Sequence, residues 1–324
     1  MKTLRRALVP LAILPFKNMT YAQKRDSIPL KVRAFAADKF PQARDFNLDY
    51  TLITPYGSSS RLKDHELPDN KVKSFQQVKT SANIYLIKKK SFLLTTSLNY
   101  SYTSMKTENP ETAPGMSANN NFHYHSEALN INYFSRLFNK TAIYTASLSV
   151  DGSDMHFERL RGMVTASVVL KADHKIKMAV GIAGVIDPST QIPVLPIFTY
   201  ENRFNNGLTL DILLPKKVLI RKGISSNSRI SLGTEINGTS FYMYKNSSTY
   251  EFRQTEINSG AIYEHYLGGN FIGTFKTGVQ TILRARIFNK QESFKNYEWE
   301  ANYRPSFYFN IGLSYNPFGK PKSK

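Results

Sequence analysis

Residues 306–318, near the end of the printed sequence, alternate between apolar and polar side chains. The apolar row consists of Phe307, Phe309, Ile311, Leu313 and Tyr315. Successive side chains of a β-strand point to opposite faces, so this segment predicts a strand with one apolar and one mostly polar face. In a water-soluble sheet the apolar face would join a core. In a membrane barrel it would face lipid, and the polar row would face the lumen.

The composition of the 324-residue chain suits a membrane barrel. It has 19 Tyr and 21 Phe against one Trp, and its mean hydropathy is -0.36. A helical membrane protein is excluded, because the runs of about twenty apolar residues that it requires are missing. The absence of cysteine excludes disulfides, thiolate metal sites and thiol nucleophiles. A mildly polar, aromatic-rich average is expected when only alternate residues face lipid.

The formal net charge of +19 raises the question of a nucleic-acid partner. The basic residues are spread along nearly every segment, and the sequence shows no zinc-finger spacing, RNP-like signature or basic helix. The predicted partners are therefore outer-membrane lipid, lipopolysaccharide phosphates and the barrel insertion machinery, and not nucleic acid. No cofactor is predicted, and the oligomeric state stays open.

The N-terminus has the order of a signal peptide. Lys2, Arg5 and Arg6 form a basic start, an apolar stretch covers residues 7–16, and small residues precede a cut after Ala22. An anchor helix is the alternative, but ten apolar residues interrupted by two prolines are too short to span a bilayer. We therefore expect a cleaved signal peptide and export to the cell outer membrane.

The rest of the chain reads as alternating strands. Tight turns alternate with longer connections, and Asn205-Asn206-Gly207 gives a strong hairpin signal. Polar stretches at 57–70 and 289–304 read as loops. The predicted fold is all-β, a transmembrane antiparallel up-and-down β-barrel of about fourteen strands, or twelve if residues 208–224 are counted differently. The predicted boundaries are signal peptide 1–22, periplasmic lead-in 23–43, barrel 44–318 and basic tail 319–324.

If the more apolar row of each strand faces outward, the inward row carries charges of both signs with bases in excess. One interpretation is a pore or binding lumen for small solutes that favours anions. The other is an ion-pair network that fills and stiffens a structural barrel, because buried charges need partners. The predicted lumen-lining residues are Asp49, Lys79, Lys175, Lys177, Asp211, Arg229, Glu235, Glu256, Lys276, Arg284 and Arg286.

His123, His125 and Glu127 form the strongest cluster for chemistry, since their spacing of two puts them on one face of one strand. Two imidazoles and a carboxylate suit a divalent metal or acid–base work. The same row continues into Leu129 and Ile131, so it is expected to face outward, and the three residues are weak metal candidates. The sequence has no motif of a known nucleophile, zinc site or nucleotide loop. An outer-membrane enzyme acting on lipid or lipopolysaccharide remains the alternative function.

Residues 191–215, QIPVLPIFTYENRFNNGLTLDILLP, combine an Ile-Pro-x-Leu-Pro strand, an Asn-Asn-Gly turn and an alternating strand that ends in proline. With the strand at 232–241 and the closing strand, they resemble an uncharacterised Bacteroidetes-type family of outer-membrane β-barrels, a domain of unknown function. The aromatic end of the closing strand also resembles the segment that the insertion machinery recognises in such barrels. The resemblance implies a fold and a location, and it supplies no catalytic residues. A soluble periplasmic β-sandwich is the competing fold.

Overall fold

The computed structural model describes residues 28–319 except 110–112, 114, 188 and 191. The predicted signal peptide and most of the predicted tail lie outside the described residues. The described part of the chain contains a helix, α1 (Ile28–Lys39), a 3₁₀ turn (Pro41–Ala43) and sixteen β-strands. The strands are β1 (Phe46–Ile53), β2 (Tyr56–Leu62), β3 (His65–Lys88), β4 (Phe92–Thr107), β5 (Asn119–Leu137), β6 (Lys140–Gly152), β7 (Phe157–Ala172), β8 (Ile176–Ile186), β9 (Val194–Arg203), β10 (Leu208–Leu214), β11 (Lys217–Gly223), β12 (Ser228–Lys245), β13 (Ser248–Gly268), β14 (Phe271–Asn289), β15 (Trp299–Tyr303) and β16 (Ser306–Tyr315).

All strands pair antiparallel in one sheet that closes on itself. β1 and β2 lie end to end along β3, and β15 and β16 lie end to end along β14. The sheet closes where β1 pairs with β16 and β2 pairs with β15. The sixteen segments therefore form a closed barrel of fourteen strands, which confirms the predicted fold and the larger of the two predicted strand counts.

The two ends of the barrel differ. Residue 46 pairs with residue 315, so both ends of the described chain lie at one end, together with the tight turns at 138–139 and 269–270. We call this the terminal end and the other the loop end. At the loop end the segments at 57–70 and 289–304 were expected to be loops. The structure instead extends strands into both, because β2, the start of β3 and β15 pair with one another beyond the apolar rows.

The closing strand has the two faces that its sequence predicts. Phe307 and Ile311 are 60% and 62% exposed, whereas Tyr308 and Ser314 are 4% and 1% exposed. Similar outward rows of Leu, Ile, Phe and Tyr occur on the other strands, so an apolar belt surrounds the barrel. An apolar belt around a closed sheet is the signature of a membrane barrel. Of the helical residues described, none belongs to a helix long and apolar enough to cross a membrane.

The upper part of the β12–β13 hairpin leaves the barrel wall. β11 pairs with β12 only through residues 229–235, whereas β13 stays paired with β14 up to residue 250, so residues 237–254 of the hairpin extend past β11 with support from β14 alone. This part, the crossing hairpin, leans over the loop end toward β5. Phe241 stacks between Phe122 of β5 and Phe252, with ring centroids 3.9 and 4.4 Å apart. An apolar core therefore fills one side of the barrel at this end.

Candidate functional site

The segment predicted as a lead-in contains helix α1, which the sequence pattern did not predict. Pro29 lies in the first turn, where a missing N–H is tolerated, and Ala36 and Ala37 favour a helix. The helix ends before Phe40, whose backbone is extended (φ -124°, ψ 112°) because the next residue is Pro41. The helix, the 3₁₀ turn and Arg44 are here called the plug, residues 28–44.

Lys39 anchors the plug to one side of the barrel wall. Its side chain is 1% exposed, and its ammonium forms ion pairs with Glu201 of β9 and with Asp211 of β10, the latter at 3.2 Å. Glu201 also accepts a hydrogen bond from Lys177 at 2.9 Å, and Asp211 pairs with Arg221. Both carboxylates that hold Lys39 therefore keep a cationic partner within the wall.

Asp38 binds the plug to β11 and β12. Its carboxylate pairs with Arg221 at 3.3 Å and with Arg229. Burial alone would raise the pKa of Asp38, but the guanidinium groups of Arg229 and Arg221 hold this pKa well below its ordinary value. For the neighbouring Lys39, burial is the main cause that lowers the pKa to about 8. Asp38 and Lys39 thus give the plug one negative and one positive side chain that each pair with charges of the wall.

Arg44 provides the third anchor. Its guanidinium is fully buried and donates to Glu264 of β13 at 2.7 Å and to the hydroxyl of Ser314 at 2.6 Å. Glu264 is also paired with Arg229 at 2.5 Å. The plug thus crosses the terminal end of the lumen, and side chains hold it there rather than strand pairing.

A second charged group closes the loop end. Arg161 of β7 pairs with Asp151 and Asp187 and, at 2.9 Å, with Glu251 of the crossing hairpin. Tyr242 of the hairpin donates to Asp151 at 2.7 Å. We call this group the loop-end cluster, which balances three carboxylates against three guanidinium groups and consists of Asp151, Arg159, Arg161, Asp187, Glu251 and Arg253.

Between the plug and the loop-end cluster, the inner wall of β4–β8 is uncharged. Pairing register puts Asn99, Ser126 and Asp151 on one face, and the same face continues down each strand. Most of its side chains are small or polar and partly exposed to the lumen, although Leu93, Phe134 and Ile143 also face inward toward the terminal end. The residues of this wall include Ser97, Asn99, Ser126, Asn130, Thr145, Ser147, Ser149, Met163, Thr165, Ser167, Ala179 and Gly181.

The structure brings most of the predicted lumen residues together on the inner face. Lys276 pairs with Glu235 at 2.7 Å, and Glu256 accepts from Gln254 at 2.6 Å. Lys79 donates to the carbonyl of Gly238 across the lumen. The predicted residues that lie on the inner face are Asp49, Lys79, Lys177, Asp211, Arg229, Glu235, Glu256 and Lys276.

Three predicted lumen residues lie elsewhere. Lys175 is in the turn between β7 and β8, because that turn is one residue longer than the alternation suggested. Leu283 forms a bulge in β14, which reverses the faces beyond it, so Ala285 points into the core and Arg284 and Arg286 lie on the opposite face. Arg286 there pairs with a carboxylate of β15 and not with the lumen.

The histidine pair is not assembled into a metal site. His123 Nδ1 lies 2.8 Å from the hydroxyl of Tyr100, and His125 packs edge-on against Phe157. Within the described residues, no group of three or more His, Asp or Glu side chains could hold a metal ion. The two histidines and Glu127 share the outward face, as their row predicts, and belong to an aromatic rim.

Sequence reasoning missed the plug anchors and the loop-end cluster. Asp38 and Arg44 lie in a segment without strand periodicity, and Arg161 pairs with residues about ninety positions away in sequence. The only sequence signal was the excess of charges on inward rows. A buried charge requires a partner, so such an excess indicates that something else in the chain enters the lumen.

The family model described as a domain of unknown function (DUF6268) matches residues 39–316. No protein of curated function matches the chain. Several solved outer-membrane barrels are similar in architecture. An outer membrane channel, COG4313, from Pseudomonas putida F1 has a TM-score of 0.35 and 6% identity over 83% of this chain and 95% of its own.

Two further structures show how varied these neighbours are. A FadL homologue from Pseudomonas aeruginosa has a TM-score of 0.31 and 10% identity over 87% of this chain and 93% of its own. The outer membrane protease OmpT from Escherichia coli has a TM-score of 0.25 and 12% identity over 83% and 96%. At these values the likeness assigns no activity, and the fold rests on the strand pairing described above.

Proposed function

The chain belongs to the DUF6268 family, a domain of unknown function, and we propose that it is an outer-membrane channel for small solutes, closed at rest by its own plug. One observation carries this proposal. The inner wall of β4–β8 stays exposed to the lumen beside a plug that is held only by side-chain contacts. A barrel that served only as a structural element would bury that wall as it buries the inner face of β16.

The wall charges can remain paired when the plug leaves. Arg221 has Asp211, Arg229 has Glu264, and Glu201 has Lys177. Removing one partner of a buried pair is costly because it leaves an uncompensated charge. When the plug leaves this barrel, its charged side chains become hydrated, and the charged side chains of the wall remain paired with each other. A cavity of about 510 Å³ beside Asp38 and Lys39 provides space for this part of the plug to move.

Location and orientation are part of the proposal. The apolar belt would contact outer-membrane lipid, and residues 1–22 would direct export as a cleaved signal peptide. Short turns face the periplasm in such barrels, so the plug would close the periplasmic end. The aromatic end of the closing strand would be read by the insertion machinery, and exposed basic residues at the loop end would contact lipopolysaccharide phosphates.

The proposal is tested by removing the three plug anchors together. In the triple variant Asp38→Asn, Lys39→Gln, Arg44→Gln, the plug loses its ion pairs, and the open fraction in planar bilayers should rise about tenfold or more, the effect of about 1.4 kcal/mol. Lys175→Gln is the matched control, since it removes the same net charge from an exposed turn.

Both proteins should first show heat-modifiable gel mobility, which reports a folded barrel. A folded triple variant that conducts no more than the wild type would overturn the closure by the plug. If neither the wild type nor the folded triple variant conducts, the channel function itself is wrong.

A further inference from the structure

The uncharged inner wall of β4–β8 has a chemistry different from the rest of the lumen. From it we infer that the channel carries uncharged polyhydroxylated solutes, of the size of a simple sugar, rather than anions. This inference rests on the proposed channel function and names its solute class. It depends on three observations: the hydrogen-bonding side chains of this wall, their exposure, and the position of the nearest charges.

The wall carries a ladder of amide and hydroxyl side chains around the barrel. Ser97 donates to Asn83 at 2.6 Å, Asn130 donates to Ser97 at 3.0 Å, and Ser147 donates to Asn130 at 2.7 Å. Each of these groups has both donor and acceptor capacity, and the ladder uses only part of it. Groups that both donate and accept suit the hydroxyls of a polyol, which do the same.

The ladder is open to the lumen where the charged wall is not. Asn99 is exposed and Met163 is 40% exposed, although both face inward, whereas Asp211 and Ser231 on the charged side are 0% and 2% exposed. A cavity of about 350 Å³ lies where Asn99 and Ser126 face the crossing hairpin. Cavities of this size hold small ligands.

Along β5–β8 the charges lie at the two ends of this wall, and the cavity beside Asn99 is also lined by Asp49 and Lys79, which lie opposite each other on the paired strands β1 and β3. Lys177 is paired with Glu201 at the terminal end, and Arg161 is paired with Asp151 at the loop end. Between them, the described inward positions of β5–β8 carry no charged side chain. An ion passing here would lose hydration without gaining a counter-charge. A neutral polyol exchanges its hydrogen bonds to water for hydrogen bonds to serine and asparagine, at little net cost.

The test is swelling of proteoliposomes that contain the wild type or the triple plug variant. The probes are arabinose, a neutral pentose, and two slightly larger charged relatives, the anionic sugar acid gluconate and the cationic amino sugar glucosamine. We expect arabinose to enter about tenfold faster than either charged probe. Equal or faster entry of gluconate would overturn the inference while leaving the channel intact. No swelling with any probe in either protein would instead remove the channel function.

Substitutions on β6 distinguish an effect on solute passage along the wall from an effect on folding of the barrel. Ser147→Phe fills the lumen at the centre of the ladder and should reduce arabinose entry about fivefold or more, whereas Leu148→Phe on the lipid-facing row should leave it unchanged. Ser147→Asp tests the same position without added bulk. This substitution should slow the entry of gluconate relative to that of glucosamine. A ratio of the two entry rates equal to the wild-type ratio would show that solutes do not pass this wall.

Discussion

The two sides of the lumen use their inward residues in opposite ways. On the side formed by β9–β14 and β16, charges such as Asp211 and Glu264 are buried, paired and covered by the plug. On the side formed by β4–β8, the inward residues between Lys177 and the loop-end cluster are uncharged and mostly partly exposed, as Asn99 and Ser147 show. For the proposed channel the difference means that charge serves closure and that the surface left for solutes is the neutral one.

The comparison also explains how a chain with a large positive net charge can have a lumen in which most basic side chains are paired with carboxylates. Most lysine and arginine side chains of the inner face pair with carboxylates of nearby strands, as Lys276 of β14 pairs with Glu235 of β12 and Arg229 of β12 pairs with Glu264 of β13. Buried ion pairs add little net stability, but they fix geometry because every other arrangement leaves a charge unpaired. The charged side therefore specifies where the plug sits, and four predictions test that division.

The largest effect is expected at the loop-end cluster. Arg161→Met removes the guanidinium that joins β7 to the crossing hairpin and leaves Asp151 and Glu251 buried with fewer cations. Breaking a buried pair of this kind should lower the free energy of unfolding by about 3 kcal/mol. The measurement is urea unfolding of the barrel in lipid vesicles.

Arg61→Met is the matched control for that substitution. Arg61 pairs with Glu300, but its side chain is 50% exposed and the pair is screened by water, so the loss should be far smaller than for Arg161→Met. Equal losses for the two variants would show that the loop-end cluster is no more than a set of surface contacts.

Acid should open the channel. Because the pKa of Asp38 is held well below its ordinary value of 3.8 when the plug is seated, ionised Asp38 stabilises the seated plug. That contribution is fully present above the ordinary pKa and is lost as the pH falls through 3.8 toward the lowered value. The open fraction in planar bilayers should therefore increase several-fold between pH 7 and about pH 3.5. Asp38→Asn should abolish most of this increase, and an unchanged acid response would place the sensor elsewhere.

The wall of this barrel could be predicted from sequence far better than its contents. Strand alternation identified the fold, the strand number and both faces of the closing strand, because outward rows such as Phe307 to Leu313 must be apolar in lipid. The bulge at Leu283 defeated the same reasoning, since one extra residue exchanges the two faces without any sign in the alternation.

The plug and the crossing hairpin could not be predicted for a different reason. The ion pair between Arg44 and Glu264 joins residues 220 positions apart, and nothing local in either segment encodes it. The helix distributes apolar residues such as Leu30 and Phe35 and charged residues such as Arg33 around its whole circumference, so it has no apolar stripe by which a buried helix is normally recognised. Of the candidate site, the sequence supplied the wall charges but not their partners in the plug.

Alkaline pH should close the channel further, because burying the ammonium of Lys39 costs more than its ion pairs return, so these pairs fix the position of the plug without adding to its stability. Burial lowers the pKa of Lys39 from 10.5 to about 8 in the seated plug, so the seated state binds this proton less tightly than the released state. The contribution to seating is fully present above 10.5 and is lost as the pH falls to about 8. Between pH 8 and pH 9 the open fraction should fall about fivefold. Lys39→Met should remove this dependence, and Lys31→Met, on the same helix, should keep it.

The last prediction concerns ion selectivity, which has the smallest expected effect and compares the two sides of the lumen directly. Once the triple plug variant is open, the ratio of chloride to potassium permeability should be within about twofold of one, because most wall cations are paired with carboxylates, Lys79 lies opposite Asp49, and the remaining fields are screened within a Debye length. The reversal potential under a tenfold KCl gradient gives this ratio. Glu235→Gln frees Lys276 and Lys217 from their shared carboxylate and should move the ratio toward chloride. A strong anion preference before that substitution would mean that basic residues line the open path. Solutes would then pass along the charged side of the lumen and not along the neutral wall.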